Sequence, residues 1–176
     1  MNGPESEIKF VPKQVIAPTP QLYDELVSDS MLNLAKASVA GIPGLAADDA
    51  AFHDNGCGTG AGTEAIVSVD AHAKGVTIRG TDMNEDALKV YRKSAAREGW
   101  PAEVINMDSN RLIIDGETFD YSVSNALLFV LPNGGIESVR EVYRALKPGG
   151  KAVFSSWAYV PNMGPLQAAS KATRPE

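Results

Sequence analysis

The sequence predicts an α/β fold in which a mostly parallel, doubly wound sheet carries helices on both faces, and three observations predict it. Short apolar runs alternate with segments of three- and four-residue periodicity between Ala51 and Trp157. A glycine-rich turn, Gly56-Cys57-Gly58-Thr59-Gly60, follows the first of these runs. Acidic residues stand at or near the ends of the first three, at Asp54, Asp82 and Asp108. Strand-helix-strand units wind right-handed and open a ligand crevice at the carboxyl ends of the strands, so functional residues are expected just after strands.

Residues 1–18 contain Pro4, Pro12 and Pro18 without sustained periodicity and read as an extended or mobile lead-in. A single domain is expected over 19–176, since a chain of 176 residues supports one well-buried core and not two. Thr19 as N-cap and Pro20 at the first helical position introduce Leu22, Tyr23, Leu26, Val27, Met31 and Leu34, with Gly41 and Pro43 as the stop. Ala51 to Asn55 is the first strand and Thr63 to Ala73 its helix. Val76 to Thr81 is the second strand. Asn84 caps the next helix, with Glu85 and Asp86 in its first turn and Leu88, Tyr91 and Ala95 on its apolar face, before Gly99 and Pro101 end it. Ala102 to Met107 is the third strand. Phe119, Tyr121 and Val123 alternate with Asp120, Ser122 and Ser124 in the fourth. Ile136, Val139, Tyr143 and Leu146 mark a helix stopped by Lys147-Pro148-Gly149-Gly150, and Ala152 to Trp157 is the fifth strand. A partial helix from Pro165 to Thr173 closes the sequence.

Net charge is −6, and the basic residues are scattered, which argues against a nucleic-acid substrate. No apolar run reaches the roughly 18 residues of a membrane span, and residues 1–14 lack the basic start and apolar core of a secretory signal, so a cytoplasmic protein is expected. Cys57 is the single cysteine, which excludes an internal disulfide and a zinc cluster; no metal is expected.

Glycines in the turn allow backbone angles, and a closeness to ligand, that a Cβ would obstruct, and bare N–H groups are expected to face that ligand. Asp54 beside the turn suits a cationic ligand better than a pyrophosphate. Gly56-x-Gly58-x-x-Ala61 nevertheless also satisfies the dinucleotide fingerprint, so the loop alone leaves a methyl donor and NAD both open. Asp82 can accept two hydrogen bonds from a ribose diol, and the Met83 thioether can pack on an adenine face or in the core.

Asp54, Gly56, Gly58 and Gly60 match, position for position, the acidic-x-Gly-x-Gly-x-Gly motif of the class I S-adenosylmethionine-dependent methyltransferases, and the chain resembles that family. The resemblance covers residues 51–157 in the family's order and implies a Rossmann-like fold. Asp108 and Ser109 match the positions that meet the adenine amino group and ring. Phe119 to Asn125 resembles the fourth strand, which ends beside the methionine moiety and the transferred methyl, and Leu146 to Lys151 resembles the turn into the fifth. The implied cofactor is S-adenosylmethionine, its product S-adenosylhomocysteine, and the implied cofactor-binding residues are Asp54, Gly56, Cys57, Gly58, Gly60, Asp82, Met83, Asp108, Ser109 and Asn125, with Tyr23 closing over the methionine end or packing in the core. A finer likeness is to small-molecule methyltransferases of fungal natural-product pathways.

The expected function is methyl transfer to an O, N or S atom of a small molecule, with no catalytic residue assigned. His53 reads as a packed strand residue and His72 as a solvated one. Asn125 is followed by Ala126, Leu127 and Leu128 rather than the Pro-Pro-aromatic of nucleobase- and amide-methylating relatives, which weakens a planar-amide acceptor. The family's last antiparallel strands have no counterpart before Glu176, so the fifth strand is expected at an open sheet edge. Three outcomes stay open: a piece of a longer chain, an edge completed by a partner or second copy in a homodimer, or a methyltransferase-like protein that acts by association. An NAD-dependent enzyme trails these.

Overall fold

Five parallel strands, β1 (Ala51–Asn55), β2 (Thr77–Asp82), β3 (Ala102–Asn106), β4 (Phe119–Asn125) and β5 (Leu146–Ser155), lie in the spatial order β3-β2-β1-β4-β5. The chain winds outward from β1 to β3, then crosses back to β4 on the other side of β1. That reversal opens a crevice above the tips of β1 and β4. The computed structural model describes residues 27–42, 45, 48–69, 74–158 and 163–174. The lead-in, the helix start at Thr19, Tyr23 and His72 lie outside the described residues. The described helices are α1 (Ser30–Ala40), α2 (Ala61–Val69), α3 (Glu85–Glu98), α4 (Ile136–Ala145) and α5 (Met163–Thr173). None is long and apolar enough to cross a membrane.

Strand alternation splits β1 into two faces. Phe52 joins Ile78, Tyr121 and Val123 in a core capped by Ala35 and Val39 of α1 and Ala65 and Ile66 of α2. Its ring stacks on Tyr121 with centroids 4.9 Å apart. Beside this core, Leu88 and Tyr91 of α3 bury Cys57 against the sheet. Helix α3 forms as its punctuation dictates: the Asn84 side chain accepts hydrogen bonds from the Asp86 and Ala87 N–H groups, and Gly99 supplies the left-handed stop at φ +68°.

On the opposite face, Phe119 packs with Met107, Leu112, Ile114 and Ala145. The apolar spacing of α4 predicts that Ile136, Val139, Tyr143 and Leu146 face inward, and the structure corrects this for the helix. Ser138, Val142 and Ala145 are buried, and Tyr143 is 82% exposed. Two polar ties fix the rotation. Asn55 Nδ2 donates to Ser138 Oγ over 3.1 Å, and the Arg144 guanidinium donates to the Ile114 and Leu112 carbonyls at 2.7 and 3.0 Å. Small residues on the inner stripe let α4 sit close to the sheet.

The Lys147-Pro148-Gly149-Gly150 stop also differs from expectation. Leu146 already pairs with Phe119, the next register pair is Tyr121 with Lys151, and the intervening residues bulge out of β5. Gly149 takes φ +81°, and Lys147 Nζ pairs with Asp120 Oδ2 at 2.8 Å, the oxygen that also accepts the Ala51 N–H at 2.9 Å. Among the described residues β5 is an edge strand, as expected.

His53 is fully buried as a packed strand residue. Its ring stacks on Phe119 at 4.9 Å, with Nε2 3.0 Å from Thr81 Oγ1 and Nδ1 3.3 Å from Ser122 Oγ. Burial, with the charge of Arg79 on the paired position of β2, lowers its pKa to about 3. An unfolded histidine titrates near 6.5, so between pH 6.5 and about 3 the unfolded chain binds the extra proton. The contribution of neutral His53 is therefore complete above pH 6.5 and is lost as pH falls through that window. Between pH 7 and 5 the stability difference between the native protein and His53→Gln should shrink by about 2 kcal/mol in urea titrations. Parallel curves for the two proteins would show that His53 takes up a proton in the folded state.

Candidate functional site

The crevice is a cleft of about 930 Å³ walled by the glycine turn, by Asp54 and Asp82, by the Asn125–Val130 segment and by the start of α1. Asp54 sits at its floor, 1% exposed. Its Oδ2 accepts both the Thr63 backbone N–H and the Thr63 hydroxyl, each at 2.8 Å, which ties the tip of β1 to the first turn of α2. Thr63 Oγ1 lies 2.5 Å from the Tyr91 hydroxyl, and the Tyr91 ring meets Trp100 edge-on at 5.6 Å. Burial pushes the Asp54 carboxyl up to about 6 against the lowering effect of the Thr63 bonds, with the Asp82 carboxylate adding to the rise.

Asp82, at the tip of β2, accepts the Gly58 N–H on Oδ2 at 2.9 Å and the Asn84 N–H on Oδ1 at 2.7 Å. Each carboxylate oxygen accepts more than one bond, so capacity remains for a diol. The turn itself departs from expectation. The Gly56 and Cys57 N–H groups both donate to the Thr81 carbonyl, at 2.8 and 3.0 Å, and the Gly60 N–H donates to the Cys57 carbonyl at 2.9 Å. With Gly58 on Asp82, these four N–H groups are consumed inside the protein rather than presented bare to a ligand. What the turn offers is room: a Cβ on Gly58 would meet nothing within 4 Å, whereas one on Gly60 would stand 2.8 Å from the Trp100 ring.

Cys57 lines the cleft but faces inward toward Gly80, and burial, reinforced by Asp54 and Asp82, pushes its thiol far up, so it is no nucleophile at neutral pH. Asn125 also lines the cleft, with its amide committed: Nδ2 donates to the Met31 carbonyl at 3.0 Å, and Oδ1 accepts the Ser155 hydroxyl at 2.8 Å. It bolts α1 and β5 together across the tip of β4.

The structure thus brings Asp54, Gly56, Cys57, Gly58, Gly60, Asp82 and Asn125 together around one cavity. Met83, Asp108 and Ser109 stand at the neighbouring tips and are not part of its wall. The Met107 N–H on the Asp82 carbonyl, at 3.0 Å, holds the β3 tip beside that of β2. Met83 is 66% exposed, and Asp108 Oδ1 accepts the backbone and side-chain N–H groups of Asn110 at 2.8 and 3.0 Å. Sequence reasoning missed Asp29, Met31, Leu127, Phe129 and Val130, which also line the cleft. The signal for the last three was an apolar run, Ala126 to Val130, directly after a strand and without strand alternation.

Gly62 is the position where a substitution tests this geometry. A Cβ there would lie 2.4 Å from Asp54 Oδ1, and the carboxylate is held from behind by Thr63. Gly62→Ala should cost about 1 to 3 kcal/mol or more in chemical denaturation, the range of core overpacking. Gly58→Ala meets open space and should cost only the about 1 to 2 kcal/mol of a left-handed residue. A Gly62→Ala protein as stable as the native one would contradict the described placement of Asp54.

Residues 52–150, more than half of the chain, match the family model described as a methyltransferase domain. A curated relative, methyltransferase ktnA of Aspergillus niger, is 27% identical over 135 residues, which is 66% of this chain and 45% of that protein; the chain thus spans less than half of the relative's length. Among solved structures, a SAM-dependent methyltransferase from Aquifex aeolicus superposes with a TM-score of 0.65 at 17% identity, covering 82% of this chain and 79% of that one. The [4+2]-cyclase SpnF superposes with a TM-score of 0.58 at 19% identity, covering 73% of this chain and 44% of that one. The chain belongs to the methyltransferase domain family.

Proposed function

From that membership we propose that the protein is an S-adenosylmethionine-dependent methyltransferase that acts on a small molecule. The observation that carries this reading is the pairing of two carboxylates with a glycine turn in which the N–H groups of Gly56, Cys57, Gly58 and Gly60 are already consumed. A pyrophosphate needs free N–H donors and no neighbouring anion. The described turn meets it with Asp54 and Asp82, and the one cationic residue lining the cleft among those described, Arg97, is paired with Glu98 at 2.6 Å. A nucleoside with a cationic amino-acid end suits the same residues.

In this reading Asp82 receives the ribose diol, Asp54 the ammonium charge, and Gly58 lets the ligand approach the backbone. Met83, Asp108 and Ser109 belong to the adenine side. When bound, S-adenosylmethionine supplies an electrophilic methyl group on a sulfonium. The protein's own contribution is to orient the acceptor and exclude water, since methyl transfer by in-line displacement requires position more than covalent help. The acceptor atom, O, N or S, is part of the proposal. Association with another protein is a second reading; the β5 edge and the exposed Tyr143 on α4 favour it.

Calorimetry with S-adenosylhomocysteine and with NAD tests the proposal. Binding of the nucleoside thioether without NAD binding is the expected result, and Asp82→Ala should weaken it by about 1 to 3 kcal/mol, the loss for an unsatisfied hydrogen-bonding group. Binding of neither ligand would leave the association reading, and tighter binding of NAD would overturn both.

A further inference from the structure

The order β2-β1-β4 sets the tips carrying Asp82, Asp54 and Asn125 in a row. A ligand with its diol at Asp82 and its cation at Asp54 leaves the end of the cleft beside β4 for a second molecule, and the inference that follows rests on the functional reading given above. That end is built by Met31 of α1 and by Leu127, Phe129 and Val130 after β4. Phe129 is 58% exposed and Val130 65% exposed, although both line a concave wall. Large apolar side chains left open inside a cleft mark a surface that a ligand covers. No lysine lines the cleft among the described residues, and Arg97 lies on α3, across β2 from this end and paired with Glu98. A carboxylate or phosphate on the acceptor would find no counter-charge there.

Asp29 also lines the cleft, two positions before Met31. Its neighbour Ser28 takes a left-handed backbone at φ +49°, and the Asp29 carbonyl accepts the Asn33 N–H at 2.8 Å while Asn125 donates to the Met31 carbonyl at 3.0 Å, so the segment is held on its helical side. Of the other carboxylates lining the cleft, Asp54 is committed to Thr63, Asp82 to Gly58 and Asn84, Asp86 to Lys89 and Glu98 to Arg97, while Glu64 stands in the first turn of α2 rather than on α1 or the segment after β4. Asp29 makes no side-chain cap bond to α1 and enters none of the ion pairs of the described residues.

We propose that the methyl acceptor is a neutral, apolar hydroxy compound seated against Leu127, Phe129 and Val130, and that Asp29 is the base that takes its proton. The acceptor oxygen forms the new O–CH3 bond as the CH3–S bond of the donor breaks, the electron pair of that bond returns to sulfur, and the hydroxyl proton passes to the Asp29 carboxylate. An anionic acceptor is disfavoured, since no unpaired cationic side chain lines the cleft among the described residues. An ammonium acceptor paired with Asp29 would lack a free lone pair.

Three two-ring probes that differ only in their polar group test the assignment: 2-naphthol, 2-naphthoate and 2-naphthylmethylammonium, titrated calorimetrically into the full chain saturated with S-adenosylhomocysteine. 2-Naphthol should bind at least about tenfold more tightly than either charged probe, and Phe129→Ala should weaken it about tenfold while leaving S-adenosylhomocysteine affinity unchanged. Equal binding of the three, no binding of 2-naphthol, or a preference for a charged probe overturns the acceptor class. For the base, Asp29→Asn should keep the affinities for 2-naphthol and for S-adenosylhomocysteine and lower turnover of 2-naphthol about a hundredfold, the scale of general-base assistance. Its residual rate should climb about tenfold per pH unit from pH 6 to 8, as ionised acceptor replaces the missing base. Unchanged turnover, or a fall with the native pH profile retained, overturns the role of Asp29. Failure of S-adenosylhomocysteine itself to bind would instead refute the cofactor reading, and that titration is read first.

Discussion

The carboxylate of Asp54 is the constraint on which the site depends. Placing an acid at 1% exposure costs free energy unless bonds satisfy it, and two bonds from Thr63 do so only in part, since the group still titrates near 6. Those bonds nevertheless fix where β1 ends and α2 begins. Position 62 can then carry no Cβ, Thr63 must face inward to reach Tyr91, and Tyr91 and Trp100 close the space beside Gly60. An acid whose ionisation burial resists, placed at a cleft floor, fits the proposed role of Asp54 as the partner of a ligand's cation.

Asp82 complements it from the neighbouring strand. By accepting the Gly58 N–H, it draws the turn down onto the tip of β2, while the Thr81 carbonyl takes the N–H groups of Gly56 and Cys57. The glycine turn is thereby shaped before any ligand arrives, which reduces the ordering cost of binding. It also converts an anion-binding device into a neutral surface flanked by acids. The fold by itself does not make this distinction, since folds of this kind hold both dinucleotides and other nucleosides. The distinction lies in which partners the turn's N–H groups have.

Much of the architecture was legible because its signals are local. Gly56 to Gly60, the Asn84 cap, the Gly99 stop and the alternation of Phe119 to Val123 each depend on neighbours within a few residues, and each gave the right element. What was not legible depends on distant partners. The rotation of α4 is set by Asn55 and by the carbonyls of Leu112 and Ile114, and its two candidate stripes look alike in sequence. The bulge at Lys147 to Gly150 follows from the pairing of Leu146 with Phe119. Asn125 was expected at the ligand through the likeness of its strand, and it does line the cleft, but its amide serves α1 and β5. Asp29 and Phe129 carried no motif, because a wall assembled from two separate segments leaves no fixed spacing to read.

In the proposed function Asp54 is a buried acid kept for a cation. A carbon-13 titration of its side-chain carboxyl, with and without saturating S-adenosylhomocysteine, tests this most directly. The expected midpoint is near 6 in the free protein, falling to about 4 or below once the ligand's ammonium group lies beside it. A midpoint near 4 in the free protein, or one near 6 that ligand saturation leaves in place, would contradict it.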